Sequence, residues 1–247
     1  MEKILLITGC VQPAKDAIYL KINDSKIRLE QYLKTIDWAI NESNFDIIIF
    51  CENSSFDLNY KKYENLKCKK FEYLTFQGDN DKSSKYGKGY GEGEIIKYAI
   101  ENSKYLKNSD YFYKITGRLT IKNINNVLKT EKEGNLFLKF LYHKEYIDTR
   151  FYKVETKTYE KYLLLAYENV RDSEGKTLEN IFFKIMKNNK IKYHCFNTFP
   201  ILCGISGSTG IKYKMSNFKI FIYNLLCKFN LYNSNIISYM ILKLINK

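Results

Sequence analysis

The amino-acid sequence predicts an α/β protein built on a largely parallel sheet. Short apolar runs recur at 4–7, 47–50, 71–76 and 111–115, and each is too brief for a buried helix. Segments with apolar residues at helical spacing lie between several of these runs. Strands that are buried on both faces and separated by crossover helices are typical of parallel sheets covered by helices. We therefore expect a mostly parallel sheet flanked by helices.

The elements follow from these patterns in chain order. The first strand is expected at 4–7, and a helix follows because its apolar residues recur at helical spacing, namely Leu29, Tyr32, Leu33, Ile36 and Ile40. Strands at 47–50 and 71–76 precede a second helix over 95–106, and a fourth strand is expected at 111–115. The second half is more mixed. It has an apolar run at 136–142, strands at 150–154, 191–195 and 200–203, and helices at 159–170 and 177–186.

Composition excludes several classes of protein. The chain has 247 residues with 45% hydrophobic content and 16% aromatic content, which is incompatible with a disordered chain. No apolar run reaches the roughly 18 residues of a membrane-spanning helix. Six cysteines show no CxxC pair and only two histidines are present, so we expect reduced thiols rather than a zinc site.

The net charge of +13 is concentrated in the last part of the chain. Residues 211–247 contain six lysines and no acidic residue. Two helices are predicted there, with apolar faces formed by Phe218, Phe221, Ile222, Leu225, Leu226 and Phe229, and by Ile236, Ile237, Met240, Ile241 and Leu244. This pattern favours a basic amphipathic tail, 214–247, that binds an anionic membrane surface, and the alternative is two ordinary helices that close the core.

Small and polar residues follow the predicted strands, where ligands of open α/β sheets bind. They are candidates for a nucleotide pocket: Thr8 and Gly9, Glu52 and Asn53, and Thr116, Gly117 and Arg118. Lys114 and Arg118 would supply charge that matches phosphate.

A glycine series, YGKGYGEGE, runs from 86 to 94. It lacks dinucleotide-fingerprint spacing, so we interpret it as a loop whose backbone approaches a ligand, around Gly89 and Gly93. Lys88 could then meet phosphate, and Glu92 and Glu94 could accept hydrogen bonds from sugar hydroxyls. The nearby Asp79-Asn80-Asp81 has the spacing of a metal-binding pair of carboxylates, but a solvated acidic turn is the favoured interpretation.

The order of these motifs, with CENSS, GKGYGEGEIIKYAI and DYFYKITGRL after successive strands, resembles GT-A glycosyltransferases of bacterial capsule and lipopolysaccharide biosynthesis. The resemblance covers about 1–213, with 1–125 as the nucleotide-sugar half and 126–213 as the acceptor half. It implies a Rossmann-like GT-A fold and transfer of a hexose, for example from UDP-galactose, to a lipid-linked or growing polysaccharide at the inner face of the cell membrane. Residues 114–118 occupy the place of the family's metal-binding DxD, so we expect side-chain cations of the enzyme, rather than a metal ion, to neutralise the diphosphate. We therefore expect a cytoplasmic enzyme that needs neither a metal nor a cofactor.

The acceptor half should then supply the catalytic base. An inverting transferase needs a carboxylate that takes the proton from the acceptor hydroxyl, and Glu179 is the first candidate and Asp172 the second. Both could instead complement a helix dipole. Asp148 and Arg150 could orient the acceptor, or form a surface ion pair. A small-residue loop could close the site with Ser206, Gly207 and Ser208.

Two other classes of function remain open from the sequence. A basic nucleic-acid-binding protein would show steeply salt-dependent binding and aromatic stacking platforms, but the tail spaces its aromatic residues as a helix face, so no nucleic-acid partner is expected. Another nucleotide-using α/β enzyme, such as a nucleotidyltransferase or methyltransferase, is the second alternative.

Overall fold

The computed structural model describes residues 2–13, 22–64, 66–141, 145–206 and 210–234. Within these residues the centre of the molecule is a five-stranded sheet of order β3-β2-β1-β4-β6, and β5 pairs with β7 in a separate ribbon. The strands are β1 (Ile4–Gly9), β2 (Ile47–Glu52), β3 (Lys70–Thr75), β4 (Tyr111–Thr116), β5 (Leu119–Ile121), β6 (Phe151–Glu155) and β7 (Leu202–Gly204). The helices are α1 (Ser25–Asn41), α2 (Asn80–Tyr86), α3 (Lys88–Asn102), α4 (Ile124–Lys129), α5 (Thr156–Thr158), α6 (Leu178–Asn188) and α7 (Asn217–Lys228).

The predicted α/β class with a mostly parallel sheet is confirmed. Strands β3, β2, β1 and β4 run parallel, and β6 is antiparallel to β4. The register aligns the carboxyl ends of the parallel strands, because Thr8 lies opposite both Cys51 and Thr116. Since β6 runs the other way, the residues that precede Phe151 lie at this same edge, and the Thr116 N–H donates to the Arg150 carbonyl.

Apolar side chains cover both faces of the sheet. One face packs against α1 and α7 through a cluster that includes Ile7, Ile36 and Phe50. The other face packs against α3 and α6 through a cluster that includes Ile96, Phe112 and Phe182. This two-sided burial explains why β1 and β2 are read from the sequence as continuous apolar runs.

Several predicted elements differ from the structure. The predicted helix over 159–170 is a series of short turns, Thr156–Thr158, Tyr159–Leu163 and Ala166–Asn169. Within the described residues, the predicted strand at 191–195 makes a single bridge, between His194 and Leu136. Helices α2 and α4 and strand β5 were not predicted, because each is too short to show a period.

Helix α7 confirms the first helix predicted in the basic tail, and one of its sides packs into the core of the domain. Its side chains Tyr223, Leu226 and Cys227 are buried in the core cluster next to α1. The second predicted helix, over 236–244, lies outside the described residues. None of the helices in the described part of the chain has the length and apolar character needed to cross a bilayer.

Candidate functional site

The candidate site lies where the strand order reverses. From β1 the chain proceeds outward through β2 and β3, and then returns to place β4 on the other side of β1. Open α/β sheets bind their ligands in a crevice outside the carboxyl ends of the strands at such a point, so the crevice of this sheet is expected between β1 and β4. Thr8, Gly9, Thr116 and Gly117 form the adjacent strand ends, so the sequence correctly located these four residues at one edge.

Two glycines allow an aromatic ring to enter this edge. A Cβ atom on Gly117 would lie 2.3 Å from the Thr8 carbonyl oxygen and 2.7 Å from Cε1 of Tyr32, and one on Gly9 would lie 2.6 Å from the Phe50 ring. Glycine is therefore required at both positions by close packing. The Tyr32 hydroxyl accepts a hydrogen bond from the Cys10 N–H at 3.0 Å, which fixes the chain just after β1.

Arg28 lies beside this edge of the sheet, where its side chain reaches the residue just after β1, and it was not predicted as a site residue. Its guanidinium is almost fully buried and donates to the Cys10 carbonyl at 2.7 Å, the Ile22 carbonyl at 3.1 Å and the Tyr32 hydroxyl at 3.1 Å. These three acceptors are neutral, and among the described residues they take three of the five N–H donors of the guanidinium. No carboxylate pairs with this guanidinium among the described residues.

Arg118 brings a second guanidinium to the same ring. The guanidinium carbons of Arg28 and Arg118 lie 5.9 and 6.0 Å from the centroid of Tyr32. Arg118 donates to Gln31 Oε1 at 3.4 Å, while its buried Nε has no hydrogen-bond partner among the described residues. Burial lowers the pKa of Arg118, and the charge of Arg28 lowers it further, although Tyr32 opposes both. Two neighbouring cations that pair with no carboxylate in the part of the chain that the structure describes form an electrostatic environment that an anion would relieve.

The backbone of Arg118 is held in an unusual conformation. Its φ angle is +82°, in the left-handed region that costs a non-glycine residue about 1–2 kcal/mol. The Arg118 N–H donates to Thr35 Oγ1 at 3.2 Å, which anchors this turn to α1. Strain of this kind is concentrated at functional sites.

Lys114 contradicts its predicted role as a phosphate ligand. Its side chain is 0% exposed, and its ammonium donates to Glu92 Oε1, to Thr116 Oγ1 at 2.9 Å and to the Thr149 carbonyl at 2.8 Å. All three N–H donors are therefore used inside the protein. Lys114 instead positions Glu92, whose side chain is 20% exposed and whose Oε1 also accepts from Thr116 at 3.0 Å.

Glu52 also serves an internal role. It is fully buried and accepts hydrogen bonds from the Ser54 N–H at 2.9 Å, the Phe56 N–H at 2.8 Å and the Thr75 hydroxyl. These contacts hold the loop after β2, so we do not carry Glu52 into the proposed donor site. Next to it, the side chain of Asn53 bonds to Glu94, and its Oδ1 has no partner among the described residues.

Glu94 holds the loop before α2 through hydrogen bonds to its backbone. It accepts from the Asp79 N–H at 3.1 and 3.2 Å, and burial raises the pKa of its carboxyl group. Asp79 in turn caps α2 by accepting from the Lys82 N–H at 2.9 Å and forms an ion pair with the Lys82 ammonium. The DxD-like segment is therefore the start of α2, and the expected independence from a metal ion stays a prediction.

The glycine series is helical, so its interpretation as a ligand-binding loop was wrong. Helix α3 begins at Lys88, and both Gly89 and Gly93 are buried within it. A Cβ on Gly93 would lie 2.1 Å from Cβ of Tyr167, and one on Gly89 would lie 3.1 Å from Cβ of Leu178. These glycines let α3 pack closely on neighbouring segments. The alternating spacing misled the prediction because packing glycines and loop glycines look alike in sequence.

Asp172, the second candidate base, lies at the N-terminus of α3. The backbone N–H groups of Lys88 and Gly89 donate to its carboxylate, and burial, followed by the charge of Glu179, raises its pKa. Asp172 therefore caps α3, and not the helix after it in sequence, whose dipole it was expected to complement. Lys88 is exposed and lies one turn before Glu92 on the same face of α3.

Glu179 lies in the first turn of α6 and is partly exposed. Its Oε1 accepts from the Thr149 hydroxyl at 3.4 Å. The carbonyl of Thr149 accepts from Lys114, so a chain of contacts joins Glu179 to Glu92. The structure thus brings the first candidate base to the same edge as the crevice, and its catalytic role stays a prediction.

Asp148 and Arg150 form a bidentate ion pair on the acceptor side. Arg150 Nε donates to Asp148 Oδ1 at 2.8 Å and Nη2 to Oδ2 at 2.5 Å. Burial acts to lower the pKa of Arg150, but Asp148 and Tyr213 hold it above its ordinary value. The pair lines a cavity of about 180 Å³ whose walls include Phe140, Pro200 and Tyr213.

The small-residue loop is only partly described. The Ser206 N–H donates to the Ile211 carbonyl at 2.9 Å, which closes a turn beside β7. Gly207 and Ser208 lie outside the described residues, so their predicted contacts with an acceptor stay predictions.

Sequence reasoning missed Arg28 and Tyr32, although a signal for them exists. Arg28 precedes Tyr32 by four residues and Ile36 by eight, so all three lie on the buried face of α1. An arginine on an apolar helix face needs a partner for its charge, and that requirement marks a candidate anion site.

Comparisons with known proteins give only remote likenesses. The sequence matches no protein-family model and no curated protein. Among solved structures, the inositol-1-phosphate CTP transferase from T. maritima is 11% identical, with 92% of this chain and 96% of that chain covered and a TM-score of 0.49. A candidate nucleotide-diphospho-sugar transferase from Desulfovibrio desulfuricans is 11% identical, with 78% and 79% covered and a TM-score of 0.47. Mouse xyloside xylosyltransferase 1 is 9% identical, with 79% and 84% covered and a TM-score of 0.42. Likenesses at this level carry no inference about activity, which must come from the site itself.

Proposed function

We propose that this chain is a glycosyltransferase whose donor is a nucleoside-diphosphate sugar. The observation that carries the proposal is the pair Arg28 and Arg118, which flank Tyr32 beside the crevice between β1 and β4. A diphosphate presents several anionic oxygens, and guanidinium groups match them with paired N–H donors. The polar strand ends at Thr8 and Thr116 would face the same ligand.

The arginine pair would also assist the chemistry. In glycosyl transfer, the acceptor oxygen bonds to the anomeric carbon while the bond from that carbon to the β-phosphate oxygen breaks. Negative charge then develops on the leaving diphosphate, and preorganised cations stabilise it. Arg28 and Arg118 would do this here, with Lys88 as a third, exposed cation at the start of α3.

Carboxylates on the other side of the crevice would handle the sugars. Glu92 is partly exposed and is held in place by Lys114, so it is positioned to accept from a sugar hydroxyl. Glu179 would take the proton of the attacking acceptor hydroxyl in an inverting, single-displacement reaction. The cavity beside Asp148 and Arg150 would receive the acceptor, which we propose to be a saccharide of a surface polysaccharide, with UDP-hexose as the donor.

Product analysis tests the reaction class. The purified protein is incubated with UDP-, GDP-, CMP- and dTDP-sugars, with and without saccharide acceptors, and the released nucleotide is measured. We expect release of a nucleoside diphosphate from one donor, and we expect its loss in Arg118→Gln. Arg171→Gln is the matched control, because Arg171 donates to backbone carbonyls and packs on Tyr86. In a parallel incubation with nucleoside triphosphates, formation of pyrophosphate would instead indicate a nucleotidyltransferase and would overturn the proposal.

The base is tested separately. Glu179→Gln should abolish turnover while it leaves donor binding unchanged, because the lost group acts on the acceptor. Glu174→Gln is the matched control, since Glu174 is exposed and pairs only with Lys176 among the described residues. Retained turnover in Glu179→Gln would remove Glu179 from the mechanism.

A further inference from the structure

Helix α7 is apolar on two opposite sides. One side, with Tyr223, Leu226 and Cys227, packs into the core. The other side exposes a row of large apolar residues that we call the α7 strip, which consists of Phe218 (63% exposed), Phe221 (59%), Leu225 (39%) and Phe229 (64%). An ordinary surface helix turns polar side chains outward, so the strip needs a partner.

The strip is not the face that the sequence predicted. Periodicity grouped Ile222 and Leu226 with the three phenylalanines, but Leu226 is buried in the core and Ile222 packs against it. The spacing of the exposed residues, i, i+3, i+7 and i+11, confines them to one narrow stripe along the helix. Exposed Ile211 and Met215 lie just before the helix and add to the apolar surface of this segment.

The charged side chains of the segment that carries the strip are all of one sign. Exposed Lys212 and Lys214 precede α7, Lys219 lies in its first turn and exposed Lys228 ends it. No acidic residue occurs from 211 to 247. Phenylalanines flanked by lysines match a surface that is apolar inside and anionic outside, which is the chemistry of a bilayer containing acidic lipids.

We infer that the α7 strip binds the surface of an anionic lipid bilayer, with the phenylalanines inserted between head groups and the lysines beside the phosphates. Residues 213–215 line the cavity of Asp148 and Arg150 and lead directly into α7. The inference does not depend on the proposed glycosyl transfer, because it concerns a different surface.

Vesicle flotation of the full chain, without any nucleotide, tests the inference. We expect binding to vesicles of phosphatidylcholine mixed with phosphatidylglycerol and much weaker binding to phosphatidylcholine alone. Raising the salt from about 0.1 M to about 1 M should weaken binding, because the Debye length falls from about 10 Å to about 3 Å. Phe221→Ser/Phe229→Ser should reduce the partition coefficient at least about tenfold.

The control is Leu165→Ser, which removes an apolar residue of similar exposure (51%) from a turn outside α7 and should leave binding unchanged. Thermal melting establishes that both variants are folded. Equal binding by the double variant and the wild type would overturn the inference. An absence of vesicle binding would also overturn it. If the wild type is then a dimer in light scattering and the double variant is not, the strip binds a second copy of the chain. If the double variant instead has a lower melting temperature, the strip packs within the chain, against residues 235–247.

Discussion

The ion pair of Lys114 and Glu92 provides the most quantitative prediction. The Lys114 side chain is 0% exposed and donates to Glu92, Thr116 and the Thr149 carbonyl. Lys114→Met removes the charge and all three donors while it keeps most of the side-chain volume. Breaking a buried ion pair in this way costs about 3–5 kcal/mol, because the partner charge is left uncompensated.

The structure places this variant near the lower end of that range. Glu92 keeps 20% of its side chain exposed and retains the hydroxyl of Thr116 as a donor at 3.0 Å, so part of its charge stays solvated. We therefore expect Lys114→Met to lower the free energy of unfolding by about 3 kcal/mol. Adding Glu92→Gln should recover part of this loss, about 1–2 kcal/mol, because the unpaired charge disappears.

Urea denaturation followed by circular dichroism and by the fluorescence of Trp38, the one tryptophan in the chain, measures both values. Lys70→Met is the control, because Lys70 and its partner Glu2 are both half exposed, and we expect no measurable change there. A loss below about 1 kcal/mol in Lys114→Met, or a double variant less stable than the single one, would refute the assignment of Lys114 as the buried partner of Glu92.

Three further predictions follow from the site. Gly93→Ala should destabilise the protein by about 1–3 kcal/mol in urea denaturation, since its Cβ would lie 2.1 Å from Tyr167. Gly91→Ala is the control and should be neutral or slightly stabilising, because its Cβ would lie 3.4 Å from Asn53. A Gly91→Ala variant less stable than Gly93→Ala would contradict the role of Gly93 in the packing of α3. Burial raises the pKa of Glu94 above 4.5 in the folded state, so the protein loses stability as the pH rises through that pKa and the carboxyl group ionises. The free energy of unfolding of Glu94→Gln should therefore rise relative to that of the wild type between pH 4 and pH 7. A difference in unfolding free energy that does not change with pH would contradict this. Arg118→Gly relieves the positive φ angle, so its melting temperature should equal or exceed that of the wild type while donor binding is lost; a clear drop in melting temperature would show that Arg118 is needed for folding.

The fold was predictable where burial imposes a simple pattern. The central strands were located because their residues, such as those of Ile4–Gly9, are buried on both faces and appear as unbroken apolar runs. The site edge followed from the same strands, since Thr8 and Thr116 come directly after them. The antiparallel direction of β6 was not predictable, because periodicity carries no information on strand direction.

The side-chain roles in the site were less predictable. Lys114 and Arg118 are close in sequence and both look like phosphate ligands, but alternation along β4 and the turn after it send Lys114 into the core and Arg118 towards Tyr32. Two of the hydrogen-bond acceptors of Arg28 are backbone carbonyls, and the sequence cannot predict such partners because every residue has a backbone carbonyl. Contacts of this kind emerge only when the chain is folded.

Isothermal titration calorimetry with nucleoside diphosphates tests the central proposal most directly. Titrating UDP, GDP, CDP and dTDP, with the matching nucleosides as references, measures how much of the affinity comes from the diphosphate. We expect one diphosphate to bind while its nucleoside binds far more weakly, and we expect Arg28→Gln and Arg118→Gln each to lose at least about tenfold in affinity, while Arg171→Gln keeps it. Equal affinity of diphosphate and nucleoside, or unchanged binding in both arginine variants, would contradict the assignment of the crevice between β1 and β4 as a diphosphate site.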